Sequence, residues 1–249
     1  MIPLFVYDVR LCPVEDNEQF VFTLTDFFRH LSGSNQIIFE TVNMAKTGGD
    51  YTVRVTTPFA DSLDAKNDDR YVAGSRQIME SLLRQPMVVT LVGEDATYRD
   101  VVTADEPGSP LVLMADPLLN DLSPLCRGRE HVPWYLLPAL PEELWEQAKN
   151  WHSDYNAFDR LFYSTGVGEM TAHKMLCQIS SPLSQKGLAL RDCLEKEWNR
   201  PIFYYLYRFY GRQPKTCPVC HRPWRQSEEA AFDYQCDTCR LVADMTPDE

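Results

Sequence analysis

Hydrophobic and polar residues follow two different periods over the first 94 residues of the chain. Four segments show the alternation or β-branched content of strands, at residues 2–11, 36–44, 51–56 and 87–92. Two segments show apolar spacing of three to four residues, which predicts helices at 17–32 and 67–84. The resulting order, βαββαβ, is the split βαβ pattern of a ferredoxin-like domain, which we predict over residues 1–94.

The pattern changes after this domain. Residues 94–110 are acidic and contain Pro107-Gly108-Ser109-Pro110, which predicts a linker, and a short strand follows at 111–115. A Pro-rich loop then leads to Pro141, which suits the first position of a helix. Apolar spacing predicts this helix through Phe162 and two further helices at 167–180 and 184–199. Residues 111–199 are therefore predicted to be mainly helical, in a chain of the α+β class.

The composition places the chain among folded proteins of the cell interior. It has 249 residues, 44% of them hydrophobic and 24% charged, with a net charge of −12. No apolar run approaches the roughly 20 residues that span a bilayer, and the first residues lack the features of a secretory signal. We therefore expect a cytoplasmic protein without a membrane partner, whose cysteines stay reduced.

Four of the eight cysteines are clustered near the C-terminus. Cys217-Pro218-Val219-Cys220 and Cys236-Asp237-Thr238-Cys239 are separated by fifteen residues. Two C-x-x-C turns at this separation can place four thiolates at the corners of a tetrahedron, as in a zinc ribbon. We predict one structural zinc ion bound by Cys217, Cys220, Cys236 and Cys239, with a rubredoxin-like iron site as the alternative that shares this geometry.

The acidic average conceals one basic segment. Residues 199–227 carry six basic and no acidic side chains, and they are interleaved with aromatic residues. Such a segment can hold a polyanion through phosphate contacts and base stacking. The candidate nucleic-acid contacts are Arg200, Arg208, Arg212, Lys215, Arg222, Trp224 and Arg225. The run Tyr204-Tyr205-Leu206-Tyr207 has a second interpretation, as a strand that docks the ribbon onto the body and buries alternate aromatic residues.

Two residue pairs could carry catalysis, and each has a simpler explanation. Cys126 and His131 could form a nucleophile and its base, but their spacing in a Pro-rich loop favours a structural cysteine. Glu169 and His173 are four residues apart on a predicted helix, where ordinary surface contact is the better account. We therefore predict that the protein is not an enzyme and has no small-molecule substrate.

The chain also resembles a bacterial zinc-ribbon-containing family of unassigned function, for which nucleic-acid binding has been suggested. The resemblance covers most of the length and rests on short motifs, which include Ser123-Pro124-Leu125-Cys126, Asp159-Arg160-Leu161, Leu190-Arg191, Tyr204-Tyr205-Leu206-Tyr207-Arg208 and the two C-x-x-C pairs. Only the cysteines carry a role over from the family, which is zinc binding.

These observations lead to one hypothesis and one alternative. The hypothesis is a non-enzymatic protein with a ferredoxin-like N-terminal domain, a helical middle region and a C-terminal zinc ribbon. Its segment 200–249 would contact DNA or RNA through the basic, aromatic stretch. The alternative is a protein–protein adaptor that uses the ribbon and the acidic body to hold another protein.

Overall fold

The computed structural model describes residues 3–116, 122–164, 166–207, 216–224 and 231–244. They divide into two compact units. The first contains the described residues of 1–104, 121–123 and 132–137, and the second contains those of 105–120, 124–131 and 138–249. Among the described residues, no helix combines the length and the apolar character that crossing a membrane requires.

The first unit is an antiparallel sheet packed against two helices. Its elements are β1 (Pro3–Leu11), α1 (Glu18–Gly33), β2 (Ile38–Thr47), β3 (Asp50–Thr57), α2 (Arg70–Ser81) and β4 (Val88–Arg99). The strand order is β2-β3-β1-β4, and all neighbouring strands are antiparallel. This βαββαβ order confirms the α+β class and the N-terminal antiparallel sheet, and it has the split βαβ arrangement.

Apolar side chains from both layers form the core of the first unit. Alternate residues of β1 and β3, such as Val9 and Val53, face the buried sides of α1 and α2, which include Phe27 and Met79. The helices begin where side chains satisfy free backbone N–H groups. The side chain of Asn17 accepts from the N–H of Phe20, and that of Asp69 accepts from the N–H groups of Tyr71 and Val72.

In the first unit, the helix predicted at 67–84 and the strand predicted at 87–92 differ most from their expected boundaries. The predicted helix at 67–84 is restricted to Arg70–Ser81, because Asp69 caps its start and residues 65–67 form a short 3-10 helix. The predicted strand at 87–92 continues to Arg99, within the segment predicted as a linker. Its later residues pair with the start of β1 through the backbone, so this extension needs no apolar alternation.

The second unit combines three helices with a mixed sheet. Its helices are α3 (Glu142–Ser164), α4 (Glu169–Cys177) and α5 (Pro182–Trp198). Its strands are β5 (Leu111–Leu113), β6 (Leu125–Arg127), β7 (Glu130–His131), β8 (Ile202–Tyr205), β9 (Tyr234–Cys236) and β10 (Leu241–Ala243). The sheet order is β7-β6-β5-β8-β10-β9, and β8 runs parallel to both of its neighbours.

Strand β8 connects the helical region to the cysteine-bearing hairpin. Tyr204 is fully buried and packs edge-on against Trp151 of α3, with ring centroids 6.0 Å apart. On the opposite face of the strand, Phe203 joins a cluster that includes Val112, Phe232 and Val242. The aromatic run therefore docks the hairpin onto the sheet and buries side chains on both faces. This agrees with the second interpretation of the run.

Candidate metal centre

The four clustered cysteines converge at one end of the six-stranded sheet. Their sulfur atoms all lie within 4.8 Å of one another, and the Cys220 and Cys236 sulfurs are 3.6 Å apart. A zinc ion with four Zn–S bonds of about 2.3 Å would separate the sulfurs by about 3.8 Å. All eight cysteines are free thiols, so a disulfide does not account for the convergence. The four residues could therefore bind a metal ion.

The first pair of ligands lies on a tight backbone turn. The N–H of Cys217 donates to the carbonyl oxygen of Arg222 at 2.8 Å, and the N–H of His221 donates to the carbonyl oxygen of Cys217 at 3.0 Å. His221 has a φ of 57°, in the left-handed region. This conformation turns the chain back on itself, and Thr216 then pairs with Pro223.

The second pair lies on the turn between β9 and β10. Cys236 is the last residue of β9, and Cys239 precedes Arg240, which has a φ of 51°. Leu241 then starts β10 and lies opposite Cys236 in the antiparallel pairing. Both C-x-x-C turns therefore end in a residue with left-handed backbone, which gives the two halves of the site the same local geometry.

The surroundings of the sulfurs act differently on their pKa values. A hydrogen bond from the backbone of Arg222 lowers the pKa of Cys220 to about 7. Burial raises the pKa of Cys236 and that of Cys239, and the neighbouring sulfurs raise both further. Crowded thiols resist simultaneous ionisation, and a divalent cation removes this repulsion by replacing the protons.

One helix holds the second turn in place. Arg191 of α5 donates from Nη1 to the carbonyl oxygens of Cys239 and Arg240, at 2.8 and 3.2 Å. The arginine thereby satisfies carbonyl groups next to the ligands. This role could not be predicted from the sequence, because a lone arginine on an amphipathic helix carries no spacing signal. Its only sequence sign was the Leu190-Arg191 pair in the family resemblance.

The candidate nucleic-acid contacts are in different environments. Arg222 is exposed on the first turn, and its Nη1 lies 3.4 Å from the hydroxyl of Thr238 on the second turn. Trp224 is only 7% exposed and packs edge-on against Tyr234, with centroids 5.6 Å apart. A base cannot stack on a buried ring, so Trp224 has a packing role here. Arg208, Arg212, Lys215 and Arg225 lie outside the described residues.

Arg200 also departs from the prediction. It is 4% exposed, and its guanidinium bonds to Asp105 at 2.9 Å and to the carbonyl oxygen of Ser109 at 3.0 Å. A buried cation with these partners stabilises the fold and does not present its charge to a phosphate. Arg200 therefore does not form part of the candidate nucleic-acid surface. A sequence shows the charge of a residue but not its burial.

Three residues of the two catalytic alternatives, Cys126, His131 and His173, are buried. Cys126 and His131 lie opposite each other on β6 and β7, fully buried, with 3.6 Å between Sγ and Nδ1. Burial raises the pKa of the Cys126 thiol well above its usual value, which disfavours the nucleophilic thiolate. His173 lies 3.5 Å from Cys177, one helical turn along α4, and its ring packs near Phe162.

Two family models match the chain. The first, Domain of unknown function (DUF2310), matches residues 109–207, and the second, Domain of unknown function (DUF8594), matches residues 211–249, which include all four clustered cysteines. Neither description assigns an activity.

Two proteins of Haemophilus influenzae are relatives, each described as an uncharacterized protein. One is 29% identical over 206 residues, which cover 79% of this chain and 78% of the relative. The other is 30% identical over 166 residues, which cover 63% of this chain and 80% of the relative.

Solved structures with partial similarity include Rv0793 from Mycobacterium tuberculosis and the NE2512 protein of unknown function from Nitrosomonas europaea. The first is 14% identical, with a TM-score of 0.32, and the match covers 38% of this chain and 99% of the Rv0793 chain. The second is 15% identical, with a TM-score of 0.31, and the match covers 39% of this chain and 94% of the NE2512 chain.

Proposed function

We propose that this chain, which belongs to the same family as the two uncharacterized Haemophilus influenzae proteins, is a non-enzymatic protein that binds one structural zinc ion. The observation that carries the proposal is the convergence of Cys217, Cys220, Cys236 and Cys239 to within 4.8 Å. Four thiolates complete a tetrahedral site and leave no open position for water or substrate. The ion therefore holds the C-terminal hairpin together and takes no part in a reaction.

Zinc fits this donor set better than the alternative metals. Soft thiolates in a tetrahedron select zinc or iron, whereas magnesium and calcium prefer oxygen ligands. Among the described residues, the converging group consists of four cysteine sulfurs and includes no carboxylate. Zinc has no redox chemistry and no preferred geometry of its own, so it suits a site with a purely structural role.

Elemental analysis of the full chain, purified without chelator, tests the metal. We expect one zinc ion per chain, its loss in Cys236→Ser, and its retention in Cys193→Ser, which changes an exposed cysteine outside the site. Replacement by cobalt(II) should give the absorption bands of a tetrahedral thiolate complex. Stoichiometric iron would contradict zinc, and a metal-free chain with intact thiols would contradict the site itself.

We further propose that the C-terminal element contacts nucleic acid. Arg222 is exposed beside the first metal turn, whose ends are brought together by the pairing of Thr216 with Pro223. Four other cations flank this turn in sequence, at Arg208, Arg212, Lys215 and Arg225. A bound metal would fix the point at which these basic segments join the fold. Neutralised phosphates then release counterions, which provides affinity without sequence preference.

Fluorescence anisotropy with single- and double-stranded DNA and RNA tests this role at several salt concentrations. We expect affinity to fall as salt rises, and Arg222→Glu to weaken binding and reduce the magnitude of the logarithmic salt slope by about one or more. The matched control is Lys186→Glu, which changes an exposed lysine on α5, 67% of its side chain being accessible. Equal behaviour of the two variants, or no binding at low salt, would refute nucleic-acid contact while leaving the zinc site intact.

A groove in the second unit favours the adaptor alternative. It has a volume of about 330 Å³, and its apolar wall includes Val112, Phe203 and Val242, with Arg240 and Asp237 among its polar residues. An apolar wall beside charges of both signs suits a peptide better than a phosphate backbone. Recovery of one stoichiometric protein from nuclease-treated lysate, and its loss in Gln235→Lys at the groove, would support the adaptor.

A further inference from the structure

The edge strand β4 exposes apolar side chains on both of its faces. Val88, Val89, Leu91 and Val92 are 48, 47, 55 and 50% exposed. These are four large hydrophobic residues within five consecutive positions of a strand. Scattered apolar side chains are ordinary on a protein surface, but a continuous set on one strand marks an interaction surface.

The helix layer of the first unit ends before it covers this strand. Val89 lies opposite Val9 in the sheet, and Val9 is only 3% exposed because α1 and α2 pack over its face. Leu91 lies opposite Tyr7 on the same face. The side chains of Val89 and Leu91 therefore continue the core face of the sheet beyond its helical cover.

The backbone of β4 also has an open edge. The sheet order ends at β4, so one edge pairs with β1 and, within the described residues, no strand pairs with the other. The register against β1 shifts only after Leu91, which leaves Val88–Leu91 regular. An open, apolar edge without a Lys or Pro in this stretch invites pairing with another strand.

We propose that β4 pairs antiparallel with β4 of a second copy of this chain, about a two-fold axis at Thr90. This register places Thr90 opposite Thr90 and Val89 opposite Leu91 across the two copies. Because opposite residues share a face, Val89 and Leu91 of both copies form one apolar strip. Two four-stranded sheets thereby become one continuous sheet.

The charge distribution favours association of two copies through this edge over association through stacked sheet faces. Residues 88–92 carry no charge, although the chain as a whole has a net charge of −12. The nearest following carboxylates, Glu94 and Asp95, fall outside the paired stretch. The face of the same sheet that lies opposite α1 and α2 carries the ion pair of Asp8 with Arg54, at 2.8 Å. Face-to-face stacking would bury this pair, whereas edge pairing does not.

Sedimentation analysis of the full chain tests the proposal over a range of concentrations. We expect a species of twice the 28.7 kDa monomer mass. Leu91→Lys and Thr90→Pro should each raise the dimer dissociation constant at least about tenfold. Leu91→Lys changes an exposed side chain and keeps the fold, so the test does not depend on the proline variant. Phe22→Lys, at a position 65% exposed on α1, is the matched control and should leave the dimer unchanged.

Hydrogen exchange distinguishes a second copy from other occupants of the edge. Amide protection in residues 88–91 should increase with protein concentration in the original chain and not in Leu91→Lys. A monomer at all concentrations would overturn the proposal, whether these amides are open or are protected by another part of the chain. A dimer that resists both β4 variants would also overturn it, because it must form elsewhere.

Discussion

The two units hold their sheets together in different ways. The strands of the first sheet have 8 to 12 residues, and their apolar positions form one cluster with α1 and α2. In the second sheet no strand exceeds four residues, and the turn between β9 and β10 carries two of the clustered cysteines. Short strands bury little apolar surface by themselves. The comparison indicates that the second sheet is held by specific polar anchors, whereas the first is held by the apolar surface area that its long strands bury.

Removal of a metal ligand should give the largest difference in stability between the two units. In Cys236→Ser, β9 and β10 should lose their order, because structural zinc contributes on the order of 10–16 kcal/mol apparent in small zinc domains. Hydrogen exchange measured by mass spectrometry should show lost protection in residues 234–243 and unchanged protection in β1 and β3. Protection of residues 234–243 equal to that of the zinc-bound chain would show that the sheet alone holds the hairpin.

Loss of the buried ion pair should have the next largest effect. Arg200→Ala leaves Asp105 buried without its cation, so we expect the second unit to lose about 3–5 kcal/mol of stability in denaturant unfolding. Lys186→Ala is the control, since its partner Asp154 and the lysine are both exposed, and it should change stability by less than about 1 kcal/mol. Equal effects of the two variants would mean that Arg200 is not an anchor.

The same glycine substitution should have opposite signs in the two units. A Cβ at Gly187 of α5 would lie 2.4 Å from a ring carbon of Tyr204 and 2.7 Å from Nε1 of Trp151, so Gly187→Ala should destabilise the second unit by about 1–3 kcal/mol. Gly74 of α2 has no heavy atom within 4 Å of such a Cβ. Gly74→Ala should therefore stabilise the first unit by about 0.5–1 kcal/mol. Thermal unfolding of both variants measures the contrast.

A buried carboxyl group should give the second unit a distinct pH dependence. Burial, with a smaller effect of Asp116, raises the pKa of Asp159 to about 6 from 3.8. Between these pH values the folded state binds more protons than the unfolded state. The free energy of unfolding therefore decreases as pH rises from about 4 to 6. Asp159→Asn should stabilise the second unit by about 1–3 kcal/mol at pH 7 and have little effect near pH 4. Urea unfolding at the two pH values checks the difference.

The first unit could largely be predicted from its sequence. Val53 and Val55 alternate with polar residues in β3, and Phe20, Leu24, Phe27 and Leu31 follow the period of α1, because each side chain faces one core. The six-stranded sheet could not be predicted in the same way. Strands of three residues, such as β9 and β10, are too short to show a period, and β5 meets β8 across about 90 residues of sequence.

The candidate metal centre could be predicted from Cys217, Cys220, Cys236 and Cys239 alone, because ligand type and spacing are local chemical properties of the chain. Which charged and apolar residues are available to partners depends on how the chain folds. The tertiary structure buries Arg200 against Asp105 and packs Trp224 against Tyr234, while it leaves Val89 and Leu91 exposed at the edge of a sheet. Burial depends on neighbours that are distant in sequence, so the residue type alone does not reveal it.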